Sequence, residues 1–221
     1  MNVFDIIGPV MVGPSSSHTA GAARAGKVAR QLLGAAPAKA EIILYGSFAC
    51  TYRGHGTDKA IIGGLLGFDA DDVRMIDSFA LAKRQGLEFM FVKGSSDKYH
   101  PNTAKIRLQG SGGEDTTVVV SSVGGGAIKV VEINGIEVSF SADYYTTVII
   151  NRDKAGVVAE MAAVLAENQI NIAFMRLFRQ ANINQAIMVV ETDQPISQDV
   201  QACLKKIIHI KKVLVIEPLS A

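Results

Sequence analysis

The chain has little of several things, and each shortage closes off a class of protein. Its 221 residues include only two cysteines, Cys50 and Cys203. They fall in segments assigned below to different domains, so neither a disulfide framework nor a cysteine-rich metal site can be built from them, and both are expected to be buried thiols. An excess of charge of either sign is also missing. With 22 Lys and Arg against 21 Asp and Glu, no overall field exists to recruit nucleic acid or an anionic membrane. Gly or polar residues interrupt every apolar run before it reaches membrane-spanning length. The opening MNVFDIIGPV carries an acid and no Lys or Arg ahead of its apolar stretch, unlike a secretory signal. A cytoplasmic protein is expected. The spacings G-x-G-x-x-G and G-x-x-x-x-G-K-[ST] are absent, which leaves nicotinamide and nucleoside triphosphate chemistry unsupported. No internal repeat or low-complexity tract stands out.

What is present is enough apolar material, 48% of residues, for one large or two small cores. The last third has the cleaner pattern. After a polar and aromatic stretch, Ser139 to Tyr145, TTVIIN reads as a strand and GVVAEMAAVLAENQ as an amphipathic helix. NIAFMRLFRQ and QAIMVVET read as a hairpin joined by Ala181 to Asn184, Ser197 as the cap of a helix running to about Ile208, and VLVIEP as a last strand. That order, βαββαβ, predicts a split βαβ sandwich over residues 146–221.

Residues 1–142 are less regular. Helices are predicted after Thr19, after Thr57 and through VRMIDSFALAKRQ, with a strand at EIILYG; then come the strands EFMFVKG, AKIRLQG, TTVVVSSVG, IKVVEI and IEVSF. The last two flank Asn134 and Gly135, a pair that favours a type I′ turn. Helices ahead of strands, without βαβ alternation, argue α+β.

Four segments could carry chemistry. In GPSSSHTAGAARAG, Ser15, Ser16, Ser17, His18 and Thr19 directly precede a run of small residues at helical spacing. One hydroxyl suffices to cap a helix; three with an imidazole exceed that need and suit a bound carboxylate or phosphate at a helix start. In YRGHGTDK, His55 lies between two glycines ahead of Thr57 and Asp58. An imidazole with unshielded flanks can reach a substrate and transfer protons near neutrality, although a loop histidine bonded to backbone would look the same. KYHPNTAK, with His100 and Asn102, reads first as a turn, and SVGGGAIK as readily as a glycine bulge as a site. From the residues alone the expectation is an anion pocket along Ser15 to Thr19 with a histidine or two beside it.

In this order, GPSSSHTAG, YGSFACTYRGHGTDKAIIGGLLG, HPNT and SVGGG closely resemble the β chain of bacterial iron-sulfur L-serine dehydratases. The first part looks like the allosteric-substrate-binding domain also found in some 3-phosphoglycerate dehydrogenases, and the last part like an ACT domain. The resemblance implies a two-domain α+β protein acting in L-serine ammonia-lyase, which converts L-serine to pyruvate and ammonia. That chemistry uses an oxygen-sensitive [4Fe-4S] cluster, without pyridoxal phosphate. A cubane needs at least three thiolates and this chain has two cysteines, so the cluster is expected on a partner α subunit, with no metal held here. The roles implied are catalytic for His55, as the base or beside it, and for His18, which also helps Ser15, Ser16, Ser17 and Thr19 hold the serine carboxylate, with Asp58 and Asn102 as further substrate contacts. For the ACT-like part the implied effector region is Asn151, Asp153 and Gly156, with Asn171 at the next strand; homodimerisation through that domain is the competing role. A stand-alone amino-acid sensor is the alternative function. A hydrolase using one of the serines with His18 is disfavoured, because adjacent residues at a helix start rarely face each other.

Overall fold

The computed structural model describes residues 9–219, and within them the chain divides into two compact units, one of residues 9–135 with Leu219 and the other Ile136–Pro218.

The first unit opens on a single π-helical turn, Ser16–Ala20, that runs into helix α1 (Gly21–Leu33). Strand β1 (Pro37–Tyr45) follows, then α2 (Gly46–Thr51), α3 (Thr57–Leu65), a 3₁₀ turn (Val73–Asp77), α4 (Ser78–Arg84) and strands β2 (Glu88–Lys93), β3 (Thr103–Gly110), β4 (Asp115–Gly124) and β5 (Ala127–Ile133). The expected helices and strands are found with two differences: the helix expected through VRMIDSFALAKRQ is a 3₁₀ turn that passes into α4 only at Ser78, and the strand IEVSF belongs to the second unit. The π-helical turn and α2 were not anticipated: the turn covers five residues, and the six of α2, GSFACT, are too few to show a helical period.

Spatial order is β2-β1-β3-β4-β5, with β1 and β2 parallel and the other pairs antiparallel. The parallel pair exists because α2 to α4 carry the chain back across one face. Alternation along the strands turns Ala40, Ile42 and Leu44 of β1, Ala104, Ile106 and Leu108 of β3, and Val118 and Val120 of β4 toward those helices, all of them buried. Each large side chain so buried contributes roughly 1.5–3 kcal/mol. The other face carries cross-strand ion pairs such as Glu41 with Arg107 at 2.6 Å and Lys105 with Glu132 at 3.6 Å. A groove of about 410 Å³ lies among them, lined by Lys39, Glu41, Glu88, Met90 and Arg107; no predicted site residue lines it.

Helices α1 and α3 cross with no side chain between them at the closest point. A Cβ on Gly64 would stand 2.0 Å from the carbonyl oxygen of Ala23, and one on Gly26 would stand 2.2 Å from that of Ile61. Backbone meets backbone, which is why the two helices are rich in Gly and Ala along one face.

In the second unit β6 (Ile136–Phe140) is followed by β7 (Tyr145–Arg152), α5 (Val157–Glu167), β8 (Ile172–Gln180), β9 (Gln185–Thr192), α6 (Gln198–Lys206) and β10 (Ile210–Ile216). β6 packs against β8 and β9, and the unit begins at Ile136, where a second domain was expected from 146. The sheet order β10-β7-β9-β8, antiparallel throughout, is the predicted βαββαβ arrangement. Its core is Ile149, Val157, Met161, Leu165, Met188, Val190, Val200, Leu204 and Val213, contributed by both helices and one sheet face. Ser197 caps α6 as expected, its hydroxyl accepting the Val200 amide at 3.3 Å. Asn134 and Gly135 take φ of 50° and 80°, the positive pair a type I′ turn demands.

One expectation fails. Cys50 and Cys203 are both exposed. On α6 the inward positions are Val200 and Leu204, so Cys203 falls off the buried stripe, and Cys50 sits on the outer side of α2, whose buried residues are Phe48 and Ala49.

Candidate functional site

The π-helical turn arises where GPSSSHTAG leaves its loop. Ser15 is extended, with φ −145° and ψ 124°; its hydroxyl accepts the His18 amide at 3.3 Å and its carbonyl accepts the Thr19 amide at 2.7 Å. The Gly21 amide then bonds to the carbonyl of Ser16, the wider i to i+5 step. Such wide turns recur where a side chain must be set off the regular helical course, and here the side chain is His18.

Both imidazole nitrogens of His18 face hydroxyls. Nδ1 lies 3.3 Å from Ser15 Oγ, and Nε2 lies 3.0 Å from Ser47 Oγ at the start of α2. The ring meets Phe48 edge-on at 5.3 Å and His55 edge-on at 4.8 Å. Burial, and secondarily the neighbouring His55, hold the His18 pKa below its usual value, favouring a neutral ring.

His55 reaches this ring from the turn between α2 and α3. Its amide bonds to the Thr51 carbonyl at 3.1 Å, and its own carbonyl accepts from the buried Thr19 hydroxyl at 3.4 Å. Its Nδ1 is buried with no hydrogen-bond partner among the described residues. A buried imidazole nitrogen left unpaired costs about 1–3 kcal/mol. Gly56 has φ 69° and ends the turn as the N-cap of α3, a left-handed conformation that favours glycine. A Cβ on Gly54 would meet only the Thr51 carbonyl at 3.7 Å, and one on Gly56 would meet nothing within 4 Å. Among the described residues, none fills the space at these two positions.

The remaining motifs close around the same helix starts. A Cβ on Gly46 would stand 2.6 Å from Pro101, so the His-Pro-Asn loop braces α2, and the Phe48 amide bonds to the Pro101 carbonyl at 3.3 Å. Asn102 leaves its Oδ1 buried and unpaired, while its carbonyl accepts the Ser122 amide at 2.8 Å. A Cβ on Gly21 would strike Ser122 Oγ at 2.1 Å. The Gly126 carbonyl accepts from Arg24 of α1 at 2.8 Å, which ties the triple-glycine segment to the helix that follows His18.

Ser15, His18, Thr19 and His55 are thus brought together, and Asn102 joins through α2 and β4. Ser16 and Ser17 sit half-buried in the same turn, with no side-chain hydrogen bond among the described residues. Asp58 is one residue into α3; burial raises its pKa, and its carboxylate accepts the Lys59 amide rather than either imidazole. Ser47 was missed by sequence reasoning. It lies 29 positions from His18, in a segment without a periodic signal.

In the second unit Asn151 is buried; its amide donates to the Arg152 carbonyl at 2.7 Å and its Oδ1 is unpaired. Asp153 accepts from Arg179 at 2.8 Å, Gly156 is the N-cap of α5, and Asn171 donates to Asp193 at 3.0 Å. These four engage local partners and do not bond to one another. The helix expected after Lys154 begins at Val157.

The donor set does not fit an iron-sulfur cubane. Cys50 and Cys203 are in different units, and no group of three or more His, Cys, Asp or Glu among the described residues could hold a metal ion. No helix among the described residues is long and apolar enough to cross a membrane.

Two family models match the chain: the serine dehydratase beta chain over residues 2–86 and the ACT domain over residues 145–209. A protein of Bacillus subtilis described as a probable L-serine dehydratase, beta chain, is 45% identical over 212 residues, 96% of each chain. The L-serine dehydratase, beta chain, of Peptoniphilus asaccharolyticus is 40% identical over 204 residues, 92% of each. A D-3-phosphoglycerate dehydrogenase of Bacillus subtilis is 26% identical over 160 residues, 72% of this chain and 30% of that protein.

Proposed function

The chain belongs to the family of L-serine dehydratase β chains, and from that premise we propose that it supplies one face of a shared active site, the [4Fe-4S] cluster being held by a partner α chain. The carrying observation is the unpaired, buried Nδ1 of His55 beside a neutral, doubly anchored His18.

On this reading His55 is the group that takes the Cα proton of L-serine. Its neighbour His18, held neutral, does not place a second positive charge 4.8 Å away. Thr19 fixes the His55 backbone. Ser16 and Ser17, with hydroxyls not bonded to other described side chains, hold the substrate carboxylate at the wide turn, and the buried, unpaired Oδ1 of Asn102 accepts from a substrate donor. Loss of the Cα proton and the β-hydroxyl gives aminoacrylate, which tautomerises to the imine and hydrolyses to pyruvate and ammonia. The second unit senses an amino acid or joins β chains; its match to the ACT domain supports either role.

The test is anaerobic co-expression with a candidate α chain and an assay of pyruvate released from L-serine. Activity should require both chains and be oxygen-sensitive. His55→Ala should lower turnover by roughly 10²- to 10⁴-fold while assembly and the cluster spectrum of the complex stay intact. Wild-type turnover in that variant removes His55 from the mechanism, and activity in the α chain alone makes this chain a regulator.

A further inference from the structure

The least expected contact in the site is the one between His18 and Ser47. Ser15 Oγ already accepts the His18 amide, so one of its lone pairs is used and its own proton is available. The arrangement that employs each group once has Ser15 O–H donating to Nδ1 at 3.3 Å. That makes Nδ1 the acceptor of the neutral ring and puts the ring proton on Nε2, which donates to Ser47 Oγ at 3.0 Å. Ser47 Oγ then accepts, and its own proton has no acceptor among the described residues.

We propose that Ser47 is a substrate-binding residue and His18 its positioning residue: a chain of hydrogen bonds from Ser15 through the His18 ring aims the Ser47 hydroxyl as a donor at the substrate carboxylate. It rests on the reading of the Ser15–Thr19 turn as a carboxylate site, and deepens it by adding a donor from a different helix. The surroundings fit. Ser47 is half-buried, so its hydroxyl is sheltered yet reachable. Its position is fixed three ways: its carbonyl accepts from Thr51 Oγ1 at 2.8 Å, Gly46 abuts Pro101, and the next residue, Phe48, is buried and packs on His18. Donors linked in series polarise one another, so the last hydroxyl is a better donor to an anion than an isolated serine. The lowered pKa of His18 agrees, because a protonated ring could not accept from Ser15.

Two measurements test this. In the full-length chain labelled with nitrogen-15, the His18 ring, identified by its loss in His18→Gln, should show Nε2 protonated and Nδ1 bare at neutral pH. In the two-chain enzyme, Ser47→Ala should raise KM for L-serine roughly ten- to a hundredfold, the effect of one lost hydrogen bond to a charged group, with a smaller change in kcat. Ser47→Thr, which keeps the hydroxyl, should recover most of that loss, whereas a purely structural role would make the bulkier Thr as damaging as Ala. A proton on Nδ1, or an unchanged KM in Ser47→Ala, overturns the proposal. Raised KM in Ser16→Ala or Ser17→Ala beside an unchanged Ser47→Ala overturns the Ser47 assignment alone; unchanged KM in all three overturns the carboxylate site as well.

Discussion

Replacing Gly64 by Ala tests whether the α1–α3 crossing sets the scaffold of the first unit. The added methyl would lie 2.0 Å from the Ala23 carbonyl oxygen, 2.7 Å from the Lys27 nitrogen and 2.9 Å from the Ala23 carbonyl carbon. All three are backbone atoms, so no rotamer change relieves the clash. Restoring an ordinary contact of 3.4 Å to that oxygen requires the helices to part by about 1.4 Å. Overpacking of a fixed interior costs about 1–3 kcal/mol and more where backbone must move. Against it stands the helix propensity gained by Ala over Gly, about 1 kcal/mol. The net expectation is a loss of about 2 kcal/mol, or a fall of roughly 4–8 °C in Tm for a protein of this size. Urea and thermal unfolding of the chain, followed by circular dichroism, measure it. A Gly64→Ala protein as stable as the parent would refute the claim that the helices meet backbone to backbone.

The pH dependence of folding carries the signature of His18. Its folded pKa lies below the ordinary 6.5, so as pH falls below about 6.5 the unfolded chain takes up the proton first and stability drops; His18→Gln, which cannot titrate, should lose less stability between pH 7.5 and 5.5, as urea midpoints would record. In the second unit Ser197→Ala removes the hydroxyl that accepts the Val200 amide and should cost about 1 kcal/mol, read as a lower urea midpoint; a midpoint equal to the parent's would show that the cap is idle.

The second unit was legible almost element by element because its strands and helices have clear periods: β7 and β9 are apolar runs of strand length, and α5 repeats its buried positions at Val157, Met161 and Leu165. The first unit's strands were equally clear, since alternation survives in β1, β3 and β4. What escaped was whatever depends on long-range approach. Nothing within GSFACT announces that Ser47 will meet a histidine 29 positions earlier. The segment becomes a helix partly because Pro101, more than fifty positions on, closes against Gly46. The exposed cysteines escaped for a different reason: thiols are usually buried, but the buried stripe of α6 runs through Val200 and Leu204 and excludes Cys203.

The glycines of this chain have two separate tasks, and the distinction bears on how the site is held. Gly26 and Gly64 are filled against by backbone, and they fix the approach of the helices that carry the two histidine turns. His18 enters through the turn joined to α1 and His55 through the turn capping α3, so their 4.8 Å ring separation is inherited from that crossing. Gly54 and Gly56 are the opposite case, because the positions a Cβ would occupy there are open. An open flank beside a buried, unpaired imidazole nitrogen leaves room for a ligand, whereas an interior position would be packed shut. The rigid pair therefore sets the geometry of the histidines, and the open pair leaves unfilled space on either side of His55.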